Sequence, residues 1–285
     1  MLQPIILALC AVLLAGCTNA EKSSNAGETQ LRVIAAAAGA AEIMSEIGLG
    51  DSIVGVDERN TNASDAELVT SGHSFNFEKL ISLQPTHLIL DSLTDSSEVR
   101  KQLEQIRVEV IELPTAESIT GIYNKYQILG EKFNRSTEAQ SASAELQSKF
   151  DDLKITTRSF RIAFLYLRGT NAIFFVGGKG SGADSLISAV GSVDVGAQNL
   201  TNPFSPLTAE VMRQLNPDVL LLMREGYESV GGLEGLKSLP GLSGTDAVKR
   251  GNIVLIDDRE LLNFGPQTIN VLRQIQEQLS GFDAA

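Results

Sequence analysis

The chain says the same thing twice. Glu78-Lys79-Leu80-Ile81-Ser82-Leu83-Gln84-Pro85-Thr86-His87-Leu88-Ile89-Leu90 returns as Glu210-Val211-Met212-Arg213-Gln214-Leu215-Asn216-Pro217-Asp218-Val219-Leu220-Leu221-Leu222, with glutamate, leucine, proline and the closing apolar run in register. Each copy reads as a short helix, a proline stop and a strand. A second pair lies upstream in the same order: the stretch from Gly39 through Glu42 and Ile43 to Gly48 answers that from Gly182 through Ser185 and Leu186 to Gly191. Two matched pairs in one order imply two similar lobes. Lobes that face each other leave a cleft, and interfaces of this kind are favoured positions for small-molecule sites. The 285 residues are enough for two lobes of roughly 100–150 residues each.

Strands alternating with helical patterns place the fold in the α/β class, built from parallel βαβ units. Leu31-Arg32-Val33-Ile34, Ser52-Ile53-Val54-Gly55-Val56, His87 to Leu90 and Glu109-Val110-Ile111 are the strands of a first lobe, residues 31–117. From Ser118 to about Leu153 the chain has no proline and good helix formers, with apolar residues at Ile122, Tyr126, Leu129 and Phe133. This segment, 118–157, predicts one long helix or two abutting ones between the lobes. A helical joint holds lobes at a nearly fixed separation. The second lobe, 158–285, contains strands Arg161 to Tyr166, Ala172 to Val176, Val219 to Leu222 and Asn252 to Ile256, then a helix from about Pro266 to Leu279.

The formal net charge of −12 argues against a nucleic-acid binder, because the sequence has no basic stripe to neutralise phosphates. The apolar run from Met1 to Gly16 is too short to span a bilayer. It closes on Leu14-Ala15-Gly16-Cys17 and resembles a bacterial lipoprotein signal, so residues 1–17 are expected to be a leader with Cys17 lipidated and residues 18–30 a solvated tether. Cys10 leaves with the leader, so the mature chain would have no free thiol for disulfides or metal.

Two lobes with this repeat, a helical joint and a lipoprotein leader resemble the helix-linked class of substrate-binding proteins of bacterial ABC importers. Gly178-Lys179-Gly180-Ser181-Gly182-Ala183-Asp184, the segment from Tyr227 to Leu236, and Leu262-Asn263-Phe264-Gly265-Pro266-Gln267-Thr268 are similar to the haemin-binding branch. The resemblance implies two Rossmann-like lobes joined by a long α-helix, no catalysis, and haem b carried as a transported ligand for iron acquisition. The loop Asp57 to Ala63 lacks the Tyr-Pro of many members, whereas Thr70-Ser71-Gly72-His73-Ser74-Phe75-Asn76 is similar to those that use a histidine. His73 is therefore the expected axial iron ligand, since neutral imidazole binds haem iron well. Tyr227, following strand Val219 to Leu222 where open α/β sheets bind ligands, is the candidate opposite it. Met223 is the alternative at that strand end. Arg59, Arg168 and Arg224 are candidates for the haem propionates, which favour guanidinium forks. Gln267 stands where many relatives carry arginine. Phe75, Phe204 and Phe264 are candidates to pave the porphyrin.

The resemblance also gives Glu78 and Glu210 a role, as acids presented by the two lobes to arginines of a dimeric permease; helix N-termini favour such acids in any case. Upstream haem donors are further possible partners, and the membrane is reached through the lipid anchor alone. A ferric-siderophore or cobalamin binder of the same class would keep the cleft and the acids without needing His73. From another class, a serine hydrolase is suggested by Gly72-His73-Ser74-Phe75-Asn76, one residue short of a nucleophile elbow, but no histidine follows His87 to act as general base. The glycines from Gly177 to Gly182 lack dinucleotide spacing and read as a tight turn. Two histidines do not make a closed metal site.

Overall fold

In the computed structural model the described residues are 30–60, 65–71, 74–91, 101–103, 106–115, 118–153 and 159–282. Cys17, His73, and most of the helix expected around residues 97–106 lie outside them. The first lobe is built from β1 (Val33–Ala35), α1 (Ala40–Glu46), β2 (Ile53–Val56), β3 (Glu67–Leu68), β4 (Thr70–Ser71), β5 (Ser74–Phe75), α2 (Phe77–Ser82), β6 (His87–Asp91) and β7 (Glu109–Leu113). Among the described residues its sheet runs β3-β2-β1-β6-β7, parallel throughout, with β4 and β5 forming a separate antiparallel pair.

The second lobe contains β8 (Arg161–Arg168), β9 (Ile173–Gly177), α5 (Ala183–Ala189), β10 (Val193–Asp194), α6 (Val195–Asn199), β11 (Phe204–Pro206), α7 (Ala209–Leu215), β12 (Val219–Met223), α8 (Arg224–Ser229), α9 (Gly232–Ser238), α10 (Asp246–Arg250), β13 (Ile253–Ile256) and α11 (Thr268–Ser280). Its sheet order is β11-β9-β8-β12-β13, with β10 also parallel to β8. The core β8-β12-β13 is parallel, like β1-β6-β7, and β9 and β11 add an antiparallel ribbon to the second sheet that has no counterpart in the first sheet among the described residues.

Local chemistry explains why the repeats fold alike. α1 and α5 both begin after a glycine in a positive-φ conformation, Gly39 and Gly182, and both end in a Schellman turn. In one, Leu49 N donates to Met44 O and Gly48 N to Ser45 O; in the other, Ser192 N donates to Ile187 O and Gly191 N to Ser188 O. α2 and α7 are capped by Asn76 and Thr208, whose side chains accept from Lys79 N and Val211 N. Each then leaves its helix through a residue with positive φ, Gln84 and Asn216.

The segment between the lobes is two helices, α3 (Ile119–Lys132) and α4 (Ser136–Asp151). They break at Phe133–Arg135, where Asn134 adopts φ 55°, a conformation asparagine tolerates better than most residues. Gly130 lets the helices approach: a Cβ there would lie 2.5 Å from that of Ala139. Residues Leu31–Ala285 form one compact unit. One continuous apolar cluster runs from Val33, Ile89 and Ile111 of the first sheet through α1, α3, α5 and α11 to Phe164 and Leu221 of the second. The opposite face of each sheet has its own cluster. Among the described residues, no helix is long and apolar enough to cross a membrane.

Candidate functional site

The lobes meet at the carboxyl ends of their parallel strands, where such sheets bind ligands. After β1, the backbone of Gly39 packs on that of Gly265 beyond β13, so closely that a Cβ on Gly39 would lie 2.6 Å from the Gly265 Cα. Asn263 Nδ2 donates to Arg59 O at 3.3 Å, and Gln267 N to Glu42 Oε2 at 3.3 Å. A cavity of about 110 Å³ lies at this junction, lined by Glu42 and Arg59 from one lobe and by Asp257, Arg259, Asn263 and Thr268 among others from the second. A larger hollow, about 520 Å³, lies between α3 and α4, away from the strand ends.

On the first lobe a charged network closes the strand ends. Arg59 Nε and Nη2 lie 2.6 Å from Asp57 Oδ2, Nη2 donates to Ala36 O at 2.9 Å, and Nη1 lies 2.8 Å from Asp91 Oδ2. Asp57 and Asp91 are buried, whereas the Arg59 side chain is 36 % exposed. Burial pushes the Asp57 carboxyl above its ordinary range despite the guanidinium beside it. Burial also opposes the charge of Arg59, but Asp57 and Asp91 outweigh it and hold the guanidinium above its ordinary value. Arg59, expected to meet a propionate, is thus already tied to two carboxylates. Buried Asn60 locks the same loop, donating to Ala37 O and accepting from Ala41 N.

The second lobe's strand end is different in character. Arg168 closes β8, its guanidinium carbon 4.7 Å from the centre of the Tyr166 ring, a cation–π arrangement. Its Nη1 lies 3.0 Å from Asp258 Oδ1, and Asp258 Oδ2 accepts from Glu225 N at the start of α8. Phe204 of edge strand β11 meets Tyr166 edge-on at 6.0 Å between ring centres and remains 39 % exposed. Tyr166 and Phe164 project from the sheet face that shares its apolar cluster with the first lobe.

The other expectations fall as follows. Tyr227 is not in a loop: it lies on α8, half-buried, and packs with the cluster on the opposite face of the second sheet. Arg224, beside it, is exposed. Phe264 is 2 % exposed, and its ring encloses Gly182, where a Cβ would lie 2.9 Å from Cε2; in this conformation it is core, not a ligand surface. Phe75 is half-buried against the first lobe's second cluster. Met223 is buried at the end of β12, with its Sδ 3.8 Å from Arg168 Nη2. Glu78 and Glu210 are both exposed in the first turns of α2 and α7. His87 packs at a tilt against Phe133 and contacts Thr86 and Glu109, a packing role.

Two participants were not singled out from the sequence. In the sequence Tyr166 reads as a strand residue, and its spacing from Arg168 puts both on one face of β8. Lys125 lies on the α3 stripe with Ile122, Tyr126 and Leu129; a lysine within an apolar stripe was the available signal.

A family profile described as periplasmic binding protein matches residues 33–260. The periplasmic heme-binding protein RhuT from Roseiflexus sp. RS-1, in apo form, superposes with a TM-score of 0.79 at 28% identity, over 88% of this chain and 98% of that one. The heme binding protein HmuT gives 0.76 at 30% identity, over 88% and 85%. It has also been solved with a histidine, a tyrosine, or the arginine two positions after that tyrosine replaced by alanine. Among curated relatives, the uncharacterized ABC transporter substrate-binding lipoprotein YvrC of Bacillus subtilis is 22% identical over 96% of this chain and 95% of its own. A cobalamin-binding protein of Halobacterium salinarum is 27% identical over 67% of this chain and 53% of its own.

Proposed function

Because the chain belongs to the periplasmic binding protein family, we propose that it is an extracytoplasmic haem receptor, lipid-anchored at Cys17, that delivers haem b to an ABC importer. The family makes it a solute-binding protein and not an enzyme. The observation that carries the haem reading is Tyr166 beneath Arg168 at the open end of β8. A phenolate is a hard oxygen donor suited to ferric iron, and an adjacent guanidinium offsets its charge. Tyr166-Leu167-Arg168 also has the spacing of the tyrosine and arginine replaced in the HmuT variants. On this reading His73 is the ligand from the first lobe and Tyr166 takes precedence over Tyr227, which faces the other side of its sheet. Phe204 would lie along the porphyrin edge, and Arg168 and Arg224 near the propionates.

Glu78 and Glu210 complete the proposal as contacts to the permease. In βαβ units helices run antiparallel to the strands, so the starts of α2 and α7 lie on the cleft side of both lobes. YvrC supports the lipid anchor, being itself described as a lipoprotein.

A corrinoid is the second reading, and one observation favours it. Arg59 and Arg168 are both engaged by carboxylates, which suits an amide-bearing ligand better than one with two free propionates. Haemin titration of the wild type, His73→Ala, Tyr166→Phe and Tyr227→Phe separates the assignments. The Soret band of the bound form should change in the first two variants and not in the third. An unchanged band in Tyr166→Phe with a changed one in Tyr227→Phe reverses the choice of tyrosine.

A further inference from the structure

Beside the contacts of Asn263 with Arg59 and of Gln267 with Glu42, Lys125 of α3 reaches both lobes. This side chain is 1 % exposed, and its Nζ donates to Ala38 O at 2.7 Å, just after β1, and to Phe264 O at 3.0 Å, in the loop between β13 and α11. We infer that Lys125 is a positioning residue that fixes the angle between the two lobes, joining one backbone carbonyl from each.

The physical reason lies in burial. An ammonium removed from water needs acceptors, and hydrogen bonds to a charged group are stronger than neutral ones. Any rotation that parts Ala38 from Phe264 strips a buried charge of one of these partners, so the cost of opening rises steeply. The surroundings reinforce the joint. Gly39 and Gly265 touch through their backbones beside it, and Phe264 holds φ 43° while supplying the carbonyl and burying its ring against Gly182. The charged groups that bear on Lys125 are Asp91, Glu42 and Arg59. None of this depends on which ligand the cleft takes.

Hydrogen exchange on the full chain tests the assignment. In Lys125→Met, the amides of Ala40 and Ala41 on one side of the joint and of Gln267 and Thr268 on the other should exchange about tenfold faster, with Leu220 to Leu222 of β12 unchanged. Gly265→Ala, which places a methyl 2.8 Å from the Gly39 Cα, should accelerate the same amides by an independent route. Lys125→Arg, which retains charge and donors, should lie nearer the wild type. Acceleration that includes β12 equally, or that is confined to one side of the joint, overturns the proposal. If Lys125→Met does not fold, the Gly265→Ala and Lys125→Arg patterns decide on the same criterion.

Discussion

The two lobes share a plan but differ in the residues at their strand ends. The position after the last matched leucine of the repeat is Asp91 in one lobe and Met223 in the other. Asp91 recruits Arg59 into a carboxylate network, whereas Met223 borders Arg168, which lies over the half-buried Tyr166 ring. Arg59→Gln should therefore act first on stability, because it takes the guanidinium away from two buried carboxylates. The expected loss is about 1–3 kcal/mol, toward the lower end since the guanidinium is partly open to water. In a chain of this size each kcal/mol lowers the melting midpoint by about 2–4 °C, which a thermal melt measures. An unchanged midpoint with lost ligand binding would return Arg59 to the propionate role.

Lys125 makes a second residue-scale prediction. Burial, partly offset by Asp91 and Glu42, lowers its pKa to about 8. Its unfolded value is near 10.4, so between these values the unfolded chain binds more protons and stability rises with pH. Below the folded value the penalty is fully present. Denaturant titrations at pH 7.5 and 9.5 should show the wild type gaining on Lys125→Met across this window, by about 1.4 kcal/mol per pH unit at most. An equal pH response in both proteins contradicts the assignment. Lys125 lies on the buried stripe of its helix, but its acceptors are backbone carbonyls some distance along the chain in both directions, and no pattern of side chains encodes them.

At the scale of elements, the helix ends were the most legible feature. Gly48 and Gly191 stand at equivalent positions with φ 79° and 76°, as repeated Schellman turns require. A Cβ on Gly48 would meet nothing within 4 Å, so Gly48→Ala should destabilise through backbone conformation alone. About 1 kcal/mol is expected, read by chemical denaturation; a neutral effect would mean the turn does not need the left-handed residue. The break between α3 and α4 was harder to read, because no glycine or proline stands at Phe133–Arg135 and the signal is confined to Asn134 and the Ser136-Thr137 pair, weak helix formers inside a segment that otherwise favours helix. The β9–β11 ribbon was half legible: β9 has the apolar run of a strand, but the short β11, with Pro206 at its end, is defined by its pairing partner. Tyr227 was misplaced for a related reason, since the chain turns directly from β12 into α8.

At the scale of the whole molecule, a shared apolar cluster and the Lys125 joint argue for lobes that move little against each other. The two-lobe fold was visible in the repeat, because each copy needs its own sheet to bury its helix. The cleft chemistry was less so, because it depends on which face of β8 and α8 meets the other lobe. A near-rigid frame keeps Glu78 and Glu210 at a set spacing, as a dimeric permease would require. Replacing both with alanine should abolish haem uptake by cells while leaving haemin affinity intact. Normal import by the double variant would remove them from the docking surface.

The most direct test of the haem assignment is to titrate haemin and cyanocobalamin separately into the wild-type protein, then to challenge the haemin complex with excess cyanocobalamin. A saturable Soret change that the corrinoid does not displace is the predicted result. Saturable corrinoid binding with no saturable Soret change would contradict the account, leaving the family and the two-lobe fold in place but making the cleft a corrinoid site.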